Sequence, residues 1–509
     1  MKSLIRLAAL ALVLAVPARA TWSIVVVNTI TREVAVATAT CIEGPGIDTR
    51  VPVIVVEKGA GAAQAFVLST AFNRKKIFNG FMKGREPWDI LRRIGEKDWG
   101  FKDRQFGIVG LEGEPVTWTG TSLNAFIHQW AGGLTGEVGE LRYAIQGNVL
   151  TGAPVVLEAE RALLETPGDL STKVMAAMEA AREMGGDGRC SCFPTDADKC
   201  GSPPPDFDKS AHTIAYMLAR PGDVDGICNG DDGCANGDYY LSFSFGNYEG
   251  DPDPVELLQV EYDLWRAALS GVPDHYASRV DAAAQSLPAD GQASTRVTVS
   301  LADVDGVPLT TGGHQLVVRQ ASEGPATAVP GPVSDHGDGT YSFDLVATTT
   351  PGRGAWAVEV ATATTRVIRL WPPVVVQTDP LEDLHVGLYD LHPDNHLGAP
   401  FTLNRGAAEA GRPYKILGSA AGTVPGIPFR GVTIPLNRDR LLEFTWTKND
   451  PSQFRGSAGT LDADGRASAW LRLPPPVWSS FAGERLHFTA LLGGASDEVT
   501  NLVSFRVLP

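Results

Sequence analysis

The chain has 509 residues, with 43 Lys and Arg against 59 Asp and Glu and a formal net charge of −16. This acidic balance argues against nucleic acid or an anionic membrane as the main partner. Apolar residues make up an ordinary 43%, and the length predicts about three globular domains.

Residues 1–20, MKSLIRLAALALVLAVPARA, have the parts of an export signal. Lys2 and Arg6 make a basic start, Leu7 to Val16 an apolar run, and Ala18-Arg19-Ala20 a small-residue cleavage site. The run is too short for a bilayer, which needs about 20 residues. The expectation is cleavage after Ala20, export to the periplasm or beyond, no membrane span, and a mature chain that begins at Thr21.

Next, TWSIVVV (21–27) and EVAVATATC (33–41) read as strands, and NTITR between them as a hairpin turn. Residues 66–98 carry helical spacing. FGIVGLEGEPVTWTG (106–120) reads as a hairpin around Glu112-Gly113. Residues 168–184 form an amphipathic helix with Met and Ala on one face. Two strand-like runs follow, 210–220 and 239–246, then a helix over 253–271 with Pro254 in its first turn. This mixture predicts a layered α+β domain over 21–288. After Pro288, short strands alternate with Gly, Pro and Asp turns, which predicts a β-sandwich over 289–376 and a second all-β unit over 377–509.

Six cysteines in an exported chain predict disulfides, with 15 possible pairings. Cys228 and Cys234 are the natural local pair. Cys190 and Cys192, one residue apart, are expected to take different partners, among them Cys200 and Cys41. A zinc site fits the C-x-C spacing poorly. DVDGICNGDDGC (223–234) fails as a calcium loop, since Ile227 and Cys234 stand at ligand positions five and twelve. His385, His392 and His396 share a loop with no helical spacing to hold a metal. No cofactor is expected.

Several stretches in order, TWSIVVVN, VPVIVVEKGAGAAQAF, DRQFGIVGLEGEPVTWTG, IQGNVLTGAPVV and EMGGDGR, resemble the bacterial domain of unknown function 1028. The resemblance covers roughly residues 21–265. It implies an Ntn-hydrolase-like fold, a four-layer αββα sandwich, in a family whose reaction is unassigned. Family members commonly start Thr-Phe-Ser, where this chain has Thr21-Trp22-Ser23. They commonly end the first strand in Asp, where this chain has Asn28. Through DGTYSFDL and VDGVPL, 289–376 resembles immunoglobulin-like domains of the filamin and invasin type. Through AGRPYKILGSAAGT, PLNRD and LDADGRASA, 377–509 resembles a sandwich of secreted planctomycete and myxobacterial proteins.

A terminal Thr21 would carry a hydroxyl beside a free amine that titrates near ~7.7–8.0. The amine can take the hydroxyl proton, the arrangement of N-terminal-Thr amide hydrolysis. Any residue left in front turns the amine into an amide and removes the base. Asn148 and Gln64 are side-chain candidates for an oxyanion donor. Asp187 is a candidate to orient the amine and Arg189 to bind a substrate carboxylate; the neighbouring Gly185-Gly186 read first as a helix cap. The substrate class expected is a small molecule or short peptide with an amide bond. The competing expectation is a non-catalytic binding protein on the same scaffold, with Thr21 simply the first residue of a strand and the β tail used for surface interaction.

Overall fold

A computed structural model describes residues 21–43, 46–123, 130–192, 200–246, 250–361, 367–379, 383–393, 398–448, 450–494 and 496–509. The expected leader, residues 1–20, lies outside the described residues, as does His396. The chain divides into two units, Met1–Ala268 and Leu269–Pro509.

The first unit grows from a hairpin. Strands β1 (Thr21–Asn28) and β2 (Val34–Thr40) pair antiparallel from Trp22 opposite Ala39 to Val27 opposite Val34. The Oδ1 of Asn28 accepts the N–H groups of Ile30 and Thr31, each at 2.9 Å, and so closes the turn. Strands β3 (Pro52–Val55), β4 (Gly59–Ala65), β5 (Arg104–Gly110) and β6 (Val116–Thr119) form a four-stranded sheet in that order. Strands β7 (Trp130–Val138), β8 (Leu141–Leu150), β9 (Thr213–Ala219) and β10 (Leu241–Gly246) join the hairpin in a six-stranded sheet, ordered β10-β9-β2-β1-β8-β7.

The two sheets face each other. Alternation sends Thr21, Ser23, Val25 and Val27 of β1 to one face and Trp22, Ile24 and Val26 to the other. The first face meets the four-stranded sheet through a core of Val25, Val27, Val36, Ile54, Ala60, Ala62, Val109 and Met217. The inner residues are small because the sheets approach closely. A Cβ on Gly107 would lie 2.1 Å from Oε1 of Gln146 on the opposite sheet.

Helices cover both outer faces. On the four-stranded side, α1 (Phe72–Met82) and α2 (Pro87–Gly95) bury Ile77, Phe81, Ile90, Leu91 and Ile94 against Val53, Val55, Phe106 and Ile108. On the six-stranded side lie α3 (Pro154–Glu165), α4 (Leu170–Glu183) and α5 (Pro254–Ala268). This is the αββα order. Asp169 caps α4 by accepting Thr172 N–H at 3.0 Å. Gly185 and Gly186, at φ 95° and 53°, end it. At Gly186 a Cβ would also meet the Trp22 ring at 2.7 Å.

The second unit is all β. Strands Arg279–Ala282, Ser294–Ser300, Thr340–Ala347 and Ala328–Pro330 form one sheet, and Ser286–Pro288, Val374–Asp379, Gly352–Ala361 and Gln315–Gln320 another. They enclose Val297, Val299, Phe343, Leu345, Trp356 and Val376. The sequence starts this β region at 289, yet 279–282 and 286–288 already pair into it. Strands of four and three residues carry too little alternation to be read beforehand. A second pair of sheets, over 384–507, packs around Phe401, Phe454, Trp478, Phe488 and Phe505. No helix among the described residues is long and apolar enough to cross a membrane.

Candidate active site

The disulfides are Cys41–Cys190, Cys192–Cys200 and Cys228–Cys234. Two of them shape the region around Thr21. Cys41 directly follows β2, so its bond to Cys190 ties the strand end to the Gly188–Ser191 turn. The Cys228–Cys234 loop docks on β3, where Ile54 N–H donates to the carbonyl of Cys234 at 3.0 Å. The acids of the 223–234 loop cap backbone: Asp225 accepts Val56 N–H at 2.8 Å, and Asp223 accepts the N–H groups of Arg220 and Tyr240.

Thr21 starts one of the two central strands of the six-stranded sheet, with β2 on one side and β8 on the other, and every residue of that strand is buried. It stands opposite Asn148 in register and is only 3% exposed. Even so, it lines a pocket of about 90 Å³ together with Thr40, Ile42, Glu43, Arg50 and Thr213. Ala65 and Val67 form the pocket's wall on the four-stranded sheet's side.

Behind the pocket lies an uncharged hydrogen-bond network between the sheets. Gln64 Nε2 donates to the Thr21 carbonyl at 2.9 Å and to Gln105 Oε1 at 2.7 Å. Its Oε1 accepts the Ser23 hydroxyl at 2.6 Å. Asn148 Nδ2 donates to Gln105 Oε1 at 2.9 Å and reaches the Thr21 carbonyl only at 3.5 Å. Gln105 is the hub, since its Nε2 also donates to Thr119 Oγ1 and to the carbonyls of Gly132 and Gly147. Gln64 and Asn148 thus converge on Thr21, but on its carbonyl. Gln64 has no amide hydrogen to spare, whereas one amide hydrogen of Asn148 is barely used.

Asp187 and Arg189 form a closed pair. Arg189 donates from Nε to Oδ1 at 3.1 Å and from Nη2 to Oδ2 at 2.7 Å. Asp187 also accepts the Cys41 N–H at 2.7 Å and the Arg189 N–H at 3.1 Å. Arg189 Nη2 lies 3.4 Å from Thr40 Oγ1, on the pocket lining. The fork expected to take a substrate carboxylate is therefore already filled by Asp187.

The Asn28 position, where an Asp would be usual, is at the other end of β1. Seven residues at roughly 3.3 Å each separate it from Thr21. Its side chain is an acceptor for a turn and carries no charge toward the pocket.

Gln105, Thr40, Arg50 and Thr213 were not predicted as site residues. Gln105 was the most legible of them, as a long polar residue inside the buried run RQFGIVG. His385 sits 3.6 Å from Asp379 and His392 is exposed.

Residues 21–192 match the family of unknown function DUF1028. Residues 274–369 match domain 3 of invasin. The first match stops at Cys192, although its sheet continues through β9 and β10. Among solved structures, protein SPO2555 of Silicibacter pomeroyi, from the DUF1028 family, is 16% identical over 48% of this chain and 88% of its own, with a TM-score of 0.35. The adhesin InvE of Yersinia pseudotuberculosis is 16% identical over 45% of this chain and 58% of its own, TM-score 0.18. The Escherichia coli adhesin FdeC is 10% identical over 96% and 97%, TM-score 0.20. No curated protein matches the sequence.

Proposed function

From a chain that carries a DUF1028 domain ahead of an invasin-type domain, we propose an exported hydrolase of amide bonds that uses Thr21 as its N-terminal nucleophile. The observation that carries this reading is the position of Thr21: anchored through its carbonyl, it still lines a pocket. Export cleavage after Ala20 would free its amine. Three disulfides suit an oxidising compartment outside the cytoplasm.

In the reaction, the amine takes the proton of Thr21 Oγ as that oxygen attacks the amide carbon. The same proton then passes to the leaving nitrogen, and water releases the acyl group. Gln64 and Gln105 are positioning residues that fix the Thr21 backbone. Asn148 has a hydrogen to offer the developing oxyanion. Asp187 holds Arg189 and the end of β2, and so places Thr40.

The test is a Thr21→Ala chain whose N-terminus is verified by intact mass, assayed on small amides. Turnover should fall by about 10²–10⁴-fold or more with unchanged thermal melting. Wild type and variant that are equally active would sink the proposal. The invasin-type match favours a second role for the β tail, in surface interaction. Should no amide be turned over, the scaffold reading, in which Thr21 is only a pocket wall, takes its place.

A further inference from the structure

Beside the Thr21 pocket lies a smaller recess, of about 10 Å³, lined by Gln64, Phe66, Val67, Asn73, Arg74 and Arg104. The two share Val67, and Gln64 and Ala65 lie back to back on their linings. Arg74 is 2% exposed. Among the described residues it has no carboxylate in ion-pair range and no hydrogen bond, and its Nη1 is fully enclosed. Burying an unpaired guanidinium is expensive. Burial, and secondarily the charge of Arg50, push its pKa down to about 10, so it remains a cation at neutral pH.

The nearby acids do not serve it. Asp98 accepts Arg104 Nε at 3.1 Å, Asn73 Nδ2 at 2.8 Å and Gly100 N–H at 3.0 Å. Glu43, on the Thr21 pocket, forms no ion pair with Arg50 or Arg74 among the described residues. The first turn of α1, which carries Arg74, has no acidic residue and no side-chain cap, so its N–H groups add to the positive field. Asn73 Oδ1, at the same recess, is buried and also lacks a partner. The recess thus needs an acceptor for Arg74 and a donor for Asn73. It has room for about one water-sized atom, which suits a carboxylate oxygen and not a tetrahedral phosphate.

We infer that Arg74 and Arg50 form a carboxylate subsite next to Thr21, and that the substrate is a small N-acylated amino acid. Its carboxylate answers Arg74 with one oxygen in the recess and Arg50 from the side of the Thr21 pocket, and its amide bond lies at Thr21. The substrate half of this inference rests on the Thr21 hydrolase reading; the binding half does not.

The experiment is calorimetric titration of the full mature chain with N-acetylglycine and with its neutral counterpart, N-acetylglycinamide. The same titrations are run on Thr21→Ala, Arg74→Met and the surface variant Arg50→Ala. The acid should bind wild type and Thr21→Ala alike, and bind at least about tenfold more tightly than the amide. Arg74→Met and Arg50→Ala should each lose about tenfold for the acid and nothing for the amide. Equal binding of acid and amide, no binding of either, or an unchanged Arg50→Ala overturns the subsite. Binding as expected with no turnover by wild type leaves the subsite standing and removes only the hydrolase reading.

Discussion

The two ends of the central hairpin are both buried and polar, but they handle charge in opposite ways. At the turn end, Glu33 and Arg220 pair at 2.8 Å with almost no exposure. Arg220 also lies 3.5 Å above the Tyr240 ring and 3.8 Å from Asp169, which pairs with Arg266 at 3.0 Å. Thr31 donates to the second oxygen of Glu33 at 2.8 Å. Each of these buried charges has a counter-charge. At the Thr21 end the strand network is neutral and Asp187 is paired with Arg189 at 2.7 Å, but among the described residues Arg74 has no counter-charge. A closed ionic network holds a fold together, whereas an open cation beside a pocket leaves something for a ligand to complete.

Breaking the closed end should have the largest effect. Arg220→Ala strands Glu33 in the core without its cation and should cost about 3–5 kcal/mol in urea unfolding. N-acetylglycine binding to the folded fraction should not change; if it does, the two ends are coupled and the contrast fails. At the open end, Gln105→Leu removes the acceptor of Gln64 and Asn148 and the donor to Thr119 and Gly147. It should destabilise by about 1–3 kcal/mol. Its signature is functional as well: kcat on small amides should fall further than KM rises, because the Thr21 carbonyl loses its anchorage.

Much of this architecture can be read from local pattern. The β-branched run TWSIVVV, the turn NTITR and the run EVAVATATC specify a hairpin. The 3.6 spacing of 66–98 specifies helices, observed as α1 and α2. What local pattern cannot give is the partner across the sheet. Thr21 meets Asn148 only because β8, more than 110 residues on, lies against β1. Asp187 and Arg189 stand two residues apart in sequence, yet the purpose of the pair shows only once the Cys41 N–H is found donating to Asp187 Oδ2. Arg74 looks like any helix-surface arginine in FNRKKIF. Its isolation is a property of burial, and no spacing encodes it.

The acid limb of stability sharpens the comparison without large energies. Burial tends to raise Asp169, but the Ser171 hydroxyl, the charges of Arg220 and Arg266 and the Thr172 N–H together hold it below the ordinary value. A depressed carboxyl stabilises above its unfolded pKa of ~3.9 and loses that share as pH falls through the folded value. Glu33 has the opposite sign. Burial raises it despite Arg220, so its share is present at low pH and lost as pH rises through its folded value. Asp169→Asn should flatten the fall in melting temperature below pH 4 and leave acid binding at the Thr21 end alone.

The smallest expected change has the most diagnostic sign. Truncating a paired cation destabilises, but replacing an unpaired one with an apolar side chain of similar length removes a desolvation penalty. Arg74→Met should therefore leave stability unchanged or raise it by about 1 kcal/mol, measured by urea unfolding without ligand. With saturating N-acetylglycine the order should reverse, because only the wild-type chain is stabilised by mass action. A residue kept for the fold would lose stability in both conditions. One kept for a ligand gains or holds in the first and falls behind in the second, and that crossing of the two curves is what distinguishes Arg74 from Arg220.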